Sequence, residues 1–325
     1  MQPGIEWKIL MPVGYMEITI HWLLIIKCRD YSKSTFSEGA AISCAFPELA
    51  SFFDPAVQSM ILTFENIRKQ FGDLPVLEHF EGTFAPGELV ALVGPSGCGK
   101  STLLHLAAGL DSPSGGQVCA DGRPVQGPDP RRMLMFQENA LYPWLSLRDN
   151  VAMALELQKV GRRQARSQAV QWLGKVQLAG FEHYFPHQVS GGMRQRCALA
   201  RAFIAQPEVL LLDEPFGALD ALTRMTLQDV LLTLIRETGP TVLLVTHDVD
   251  EALFLADRIL VFSPRPSRVL QAFRLSAEQK SHDLSRHADI RRDILGLLGM
   301  TQGKAARMSI SSLSPTPTHS EVLAA

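Results

Sequence analysis

Residues 94–101 read Gly-Pro-Ser-Gly-Cys-Gly-Lys-Ser, directly after five apolar residues, Leu89–Val93, and before an apolar stretch at 102–108 that ends at Gly109. A G-x-x-x-x-G-K-[ST] loop set between a strand and a helix constrains the fold more than any other feature of this chain. The glycines let the backbone wrap so that N–H groups converge on phosphate oxygens, and the positive end of the helix dipole adds to the attraction. Gly94, Pro95, Ser96, Gly97, Cys98, Gly99 and Thr102 form the expected cradle. Lys100 is placed to reach the β- and γ-phosphates, and Ser101 offers a hydroxyl to Mg2+.

Other apolar runs, at 133–136, 209–212, 241–245 and 259–262, read as strands covered on both faces by helices, the parallel-sheet arrangement. Helical patterns fall at 162–178, 191–205 and 220–236, the last with Leu222, Met225, Val230 and Leu234 roughly on one face. Ala85-Pro86-Gly87 and Asp121-Gly122 read as turns between strands, so part of the early region is expected to be antiparallel. The fold class is therefore α/β with a helical insertion. Regular order begins at Met60, and the stretch from 301 to 325, rich in Ser, Thr, Pro and Ala, is expected to be disordered.

With 31 Lys and Arg against 33 Asp and Glu, the formal charge is −2, which argues against a nucleic-acid binder that works by bulk positive charge. Five scattered cysteines, with no C-x-x-C pair, suggest a reducing compartment and no disulfide framework. The longest early apolar stretch, 18–26, contains His21 and stops at Lys27, short of the ~20 residues that cross a bilayer. No transmembrane helix is expected.

A phosphate cradle needs a metal carboxylate and a base. The strand at 209–212 ends in Asp213-Glu214-Pro215, at the carboxyl edge of a parallel sheet, where such sheets bind ligands. Asp213 is the candidate for Mg2+, directly or through water, and Glu214 for polarising the attacking water. Ser190-Gly191-Gly192 opens another helix with serine at the N-cap, a second anion-favouring helix start.

These motifs together resemble the ATP-binding subunit of ABC transporters from about Met60 to about Leu298. GPSGCGKS matches Walker A, 135–138 the Q-loop with Gln137, VSGGMRQR at 189–196 the signature, and LLLDEP at 210–215 Walker B. Gly217-Ala218-Leu219-Asp220 matches the D-loop and His247 the switch histidine. The resemblance implies a P-loop NTPase cassette with a mixed sheet core, an antiparallel β subdomain and a helical subdomain. It implies ATP and Mg2+ as ligands, with Glu214, His247, Gln137 and Lys100 catalytic and Ser101, Gln137 and Asp213 at the metal. Phe71 falls where the family places an adenine-stacking aromatic, usually tyrosine.

Two cassettes are implied to pair head to tail as a homodimer, so that Ser190, Gly191, Gly192 and Asp220 serve the nucleotide of the opposite subunit. Val189 and Met193 depart from the commonest signature but leave its serine and glycines in place. The wording of 136–146, the signature, and Phe262-Ser263-Pro264-Arg265-Pro266 are similar to the nitrate, sulfonate and taurine importer branch. Implied partners are transmembrane permease subunits and a periplasmic or extracellular solute-binding protein, with no nucleic acid. The implied location is the cytoplasmic face of the inner membrane, and the segment 140–147, with Tyr142, Pro143 and Trp144, matches the permease-docking groove.

The expected boundaries are an extension at 1–59, poorly ordered or upstream of a misassigned start, the ATPase domain at 60–277, a helical segment at 278–300 and the tail. A small-molecule kinase would share the phosphate loop but has no use for VSGGMRQR. The alternative is a non-transport ABC-type ATPase or nucleotide-dependent regulator. Among the histidines, His183 and His187 are separated by Pro186, and His282 and His287 read as a solvated face rather than a metal pair. Cys98 reads as a small residue that fits its loop, and the helix around Trp172, Leu173 and Val176 as core packing.

Overall fold

The computed structural model describes residues 59–137, 140–275, 280 and 282–299. The extension before Ser59, the tail and Glu138 lie outside the described residues.

Two sheets organise the described chain. Strands β1 (Leu62–Phe71), β2 (Leu74–Phe84), β4 (Gly115–Ala120) and β5 (Arg123–Pro124) form an antiparallel sheet in the order β2-β1-β4-β5. The second sheet has six strands in the order β10-β9-β3-β8-β7-β6. Its members are β3 (Leu89–Val93), β6 (Arg132–Met135), β7 (Val209–Asp213), β8 (Thr241–Thr246), β9 (Arg258–Phe262) and β10 (Val269–Arg274). All pairs are parallel except β9 with β10, so the core sheet is mixed, as expected.

Asp121-Gly122 makes the expected tight turn between β4 and β5, both residues having positive φ. Ala85-Pro86-Gly87 is also a turn, closed by the Glu88 N–H donating to Ala85 O at 3.1 Å, but it carries the chain from one sheet to the other rather than closing a hairpin.

Every residue of β3 and β8 is buried, because both faces of the sheet are covered. Alternation along the strands divides the apolar interior in two. Leu89, Ala91, Val93, Leu210, Leu212, Val242 and Leu244 point to one cluster, and Val90, Leu92, Val209, Leu211, Leu243 and Val245 to the other. The second cluster is closed by helix α1 (Lys100–Ala108) and the antiparallel sheet, through Leu103, Leu104, Phe64, Phe80 and Phe84. The first is closed by α2 (Leu147–Leu157), α3 (Arg162–Lys175), α4 (Gly191–Ile204), α5 (Ala221–Thr238) and α6 (Val249–Leu255).

Helix α2 has no counterpart in the sequence reading, and α3 ends at Lys175 rather than 178. There Gln177 takes φ 60°, and the Leu178 N–H donates back to Leu173 O at 2.8 Å, a left-handed helix stop that buries Leu178. Leu173 and Val176 are fully buried and Trp172 stacks on Phe203 at 6.3 Å, which makes this helix part of the core.

The 278–300 segment contains α7 (Ala288–Leu297), preceded by a 3-10 turn over Leu284–His287. Here the solvated-face reading is corrected. His287 is buried, and His282 lies flat on Phe254 at 3.8 Å with Nε2 2.9 Å from Asp229 Oδ1. Polar sequence around a histidine does not reveal an aromatic partner supplied by a different helix. No group of three or more His, Cys, Asp or Glu suited to a metal occurs among the described residues. Nor does any described helix have the length and apolarity to cross a membrane.

Candidate functional site

The carboxyl ends of β3, β7 and β8 set the site. Leaving β3, the chain wraps through Gly97 at φ 73° and Gly99 at φ 117°, a region that side chains disfavour, and a Cβ on Gly99 would stand 2.8 Å from Val76 Cγ1. Glycine is thus required both for the turn and for β2 to pack against the loop. Lys100 opens α1 and is buried, its Nζ donating to Gly94 O and Pro95 O at 2.9 Å each. Cys98 is buried beneath the loop in the second apolar cluster, consistent with a small side chain that fits.

Asp213 ends β7 and accepts a hydrogen bond from Ser101 Oγ at 3.0 Å. Burial pushes its carboxyl above the usual range, with the Ser101 bond acting the other way and the Glu214 charge adding to the rise. One hydroxyl and one carboxylate oxygen so placed beside a phosphate loop are the sparse oxygen set that suits Mg2+ shared with phosphates.

Glu214, one residue on, adopts φ 45°, uncommon for a non-glycine residue, and its N–H donates to Val245 O at 2.9 Å. This turn aims the carboxylate across the ends of three elements. Glu214 Oε2 lies 3.2 Å from His247 Nδ1 and accepts from Gln137 Nε2 at 3.5 Å. Residues 77, 110 and 33 positions apart in sequence thus meet at one oxygen, at distances that suit holding a base oriented toward water.

An open cleft of about 520 Å³ runs from Phe71, Leu74 and Val76, along the phosphate loop from Ser96 to Thr102, to Gln137 and Glu214. Phe71 and Leu74 are half exposed, 52% and 51%, an apolar shelf at one end. Lys69 lies 4.7 Å from the Phe71 ring centre and is tied to Asp111 Oδ1 at 2.7 Å, which steadies the shelf.

Ser190, Gly191, Gly192 and Asp220 are not brought into this cleft; they begin other helices of the same chain. Ser190 Oγ caps α4 by accepting from Met193 N at 3.2 Å, and Asp220 caps α5 by accepting from Thr223 N at 3.0 Å. Sequence reasoning missed Gln195, whose buried Nε2 donates to Pro215 O at 2.5 Å and so links the Ser190 helix to the turn carrying Glu214. A glutamine inside a helix carries no sequence signal for that contact.

Asn150 was also missed. Fully buried at the start of α2, it accepts from Tyr142 N at 2.8 Å and donates to the carbonyls of Tyr142, Leu145 and Ser146. It pins the 140–147 segment with Trp144 70% exposed and Tyr142 against it at 5.4 Å.

A family model described as ABC transporter matches residues 77–217. The taurine import ATP-binding protein TauB of Yersinia pestis bv. Antiqua is 46% identical over 220 residues, 68% of this chain and 86% of that protein. The protein of the same name from Burkholderia thailandensis is 51% identical over 199 residues, 61% of this chain and 76% of that protein. A solved structure described as the dimeric MJ0796, a bacterial ABC transporter cassette, superposes with TM-score 0.59 at 31% identity, covering 66% of this chain and 99% of that one. A second, of the same cassette in a post-hydrolysis state bound to ADP and Pi, gives 0.56 at 30% identity, with 65% and 100% covered. With the phosphate loop, the Asp213-Glu214 turn and His247 assembled at one sheet edge and relatives of this identity spanning the same region, the chain belongs to the ABC transporter family, as an ATP-binding cassette.

Proposed function

We propose that this chain is the ATP-hydrolysing subunit of an importer for a small anionic solute of the taurine or sulfonate kind, working as a homodimer against permease subunits at the cytoplasmic face of the membrane. The observation that carries the reading is the shared oxygen of Glu214, held by His247 and Gln137 beside the Lys100 loop. The similarity to taurine import proteins supports the solute class, and a solute-binding protein belongs to the same reading.

Phosphoryl transfer to water needs positioning and charge stabilisation more than covalent chemistry. Backbone N–H groups of 96–102 bind the α- and β-phosphates of ATP, Lys100 the β- and γ-phosphates, and Phe71 stacks on adenine. Ser101 and Asp213 would hold Mg2+, with Gln137 close by, and the ion would neutralise charge on the phosphates. Glu214 takes a proton from the attacking water, and His247 holds that carboxylate in place and contacts the γ-phosphate. The partner subunit's Ser190, Gly191 and Gly192 close over the γ-phosphate, with its Asp220 at the interface, so that hydrolysis requires the dimer. The cassette extends over 60–277 with a helical segment at 278–300. The exposed Tyr142–Trp144 surface receives a permease helix, and Asn150 keeps it in shape.

The test is steady-state hydrolysis by wild type and Glu214→Gln, with oligomeric state recorded at saturating ATP. Loss of the base is expected to lower the rate by ~10²-fold or more while an ATP-bound dimer accumulates. A Glu214→Gln protein as active as wild type would refute the assignment of the base. A wild type that neither hydrolyses ATP nor dimerises with permease supplied would refute the motor.

A further inference from the structure

One cation in the cleft has no part in the mechanism above. Of the described residues lining the cleft, Lys100 and Arg265 are the two that carry positive charge. Lys100 is already engaged by loop carbonyls, whereas no hydrogen bond or ion pair ties the Arg265 guanidinium to another described residue. That guanidinium packs directly on the phosphate loop: a Cβ added to Gly97 would meet Arg265 Nη2 at 3.0 Å.

The loop that carries Arg265 joins β9 to β10 and is anchored on both sides. The N–H of the fully buried Ser267 donates to Val76 O at 2.9 Å, and the Glu78 N–H donates to Ser267 O at 3.3 Å, stitching the loop to β2. Ser263 Oγ accepts from Arg268 N at 3.1 Å, and Ser263 N donates to Arg268 O at 3.0 Å, closing its base. Pro264 and Pro266 flank the arginine and restrict its backbone further. An unpaired arginine held by such a frame, facing an anion cradle, is pre-organised for a ligand rather than for the fold.

Sheet order says which part of the ligand it meets. β9 adjoins β3 on the side away from β8 and β7, which deliver His247 and Glu214. Arg265 therefore stands on the wall opposite the hydrolytic groups, against Gly97 of the phosphate loop, in the cleft that Phe71 also lines. We propose that Arg265 is a nucleotide-binding residue that pairs with the α- and β-phosphates of the bound nucleotide, a second cation alongside Lys100. This rests on the nucleotide-site reading given above. The contact is present before and after hydrolysis, so it strengthens ATP and ADP binding alike and leaves the chemical step alone.

The test uses the full chain. ATP affinity is measured by calorimetry in the Glu214→Gln background and ADP affinity in the otherwise wild-type protein, with Arg265 intact, Arg265→Ala and Arg265→Lys. Arg265→Ala is expected to raise Kd for both nucleotides about tenfold, with a shallower salt dependence. The KM for ATP rises by a similar factor while kcat moves less than twofold. Arg265→Lys, which keeps the charge without the planar fork, recovers part of the loss, and Tm stays within about 2 °C for both variants.

Unchanged Kd values in Arg265→Ala would overturn the inference, as would weakening confined to ATP or to kcat. A fall in Tm that accounts for the lost affinity would assign Arg265 to the fold instead. A wild type that binds neither nucleotide would sink the nucleotide-site reading and this inference with it; normal wild-type binding beside an unaffected Arg265→Ala would sink this inference alone.

Discussion

Glu251 lies in the first turn of α6, five residues beyond Thr246, buried, with Oε1 lacking a hydrogen-bond partner among the described residues, and its carboxyl is pushed up to about 8. Burial is the main cause, and the Asp248 charge adds to it, against smaller opposing contributions from the Thr246 hydrogen bond and Arg224. Between pH 4.5 and 8 the native state therefore holds a proton that the unfolded chain, with an ordinary value of 4.5, has already released. The stability this group confers is complete below pH 4.5 and is lost as pH rises toward 8.

Replacing the carboxyl by the neutral amide of Glu251→Gln removes the dependence. At about 1.4 kcal/mol per pH unit, the stability of Glu251→Gln relative to wild type is expected to grow by about 3 kcal/mol between pH 5.5 and 7.5. Urea unfolding at both pH values reads it, and every group common to the two proteins cancels in the difference. A difference that stays constant with pH to within about 0.5 kcal/mol would refute a proton held at Glu251.

Asn150→Ala removes the partner of one part-buried N–H and three carbonyls and leaves a cavity at a fully buried site, so a loss of about 2–3 kcal/mol in denaturant unfolding is expected, with higher protease sensitivity in 140–147. Two aromatic substitutions separate surface from core. Trp144→Ala, at a side chain 70% exposed, is expected to change stability by less than about 0.5 kcal/mol. Phe203→Ala, fully buried against Trp172, is expected to cost about 3–5 kcal/mol in the same assay, and equal effects would contradict the packing described.

Local sequence determined the elements whose signals are contiguous. The phosphate loop with its flanking strand and helix, the all-apolar strands of the mixed sheet, the Asp213-Glu214 strand end and the Ser190 cap are each written in one short contiguous stretch of sequence. They were legible because the turn, period and cap rules act at that range. The helix at 147–157 was not read from the sequence: Ser146 caps it locally by accepting from Asp149 N, but its start is also fixed by Asn150 bonding to the preceding Tyr142–Leu145 loop, a contact no local pattern encodes. Nor was the burial of His287 or the stacking of His282, which another helix supplies.

Only the tertiary structure decided which side chains meet. The Glu214 oxygen shared by Gln137 and His247, the Gln195 contact to Pro215 and the guanidinium of Arg265 against Gly97 join residues from separate strands and helices. Each depends on sheet order. Parallel strands distant in the chain end side by side only because burying apolar surface on both faces selects that order, and no local pattern encodes it.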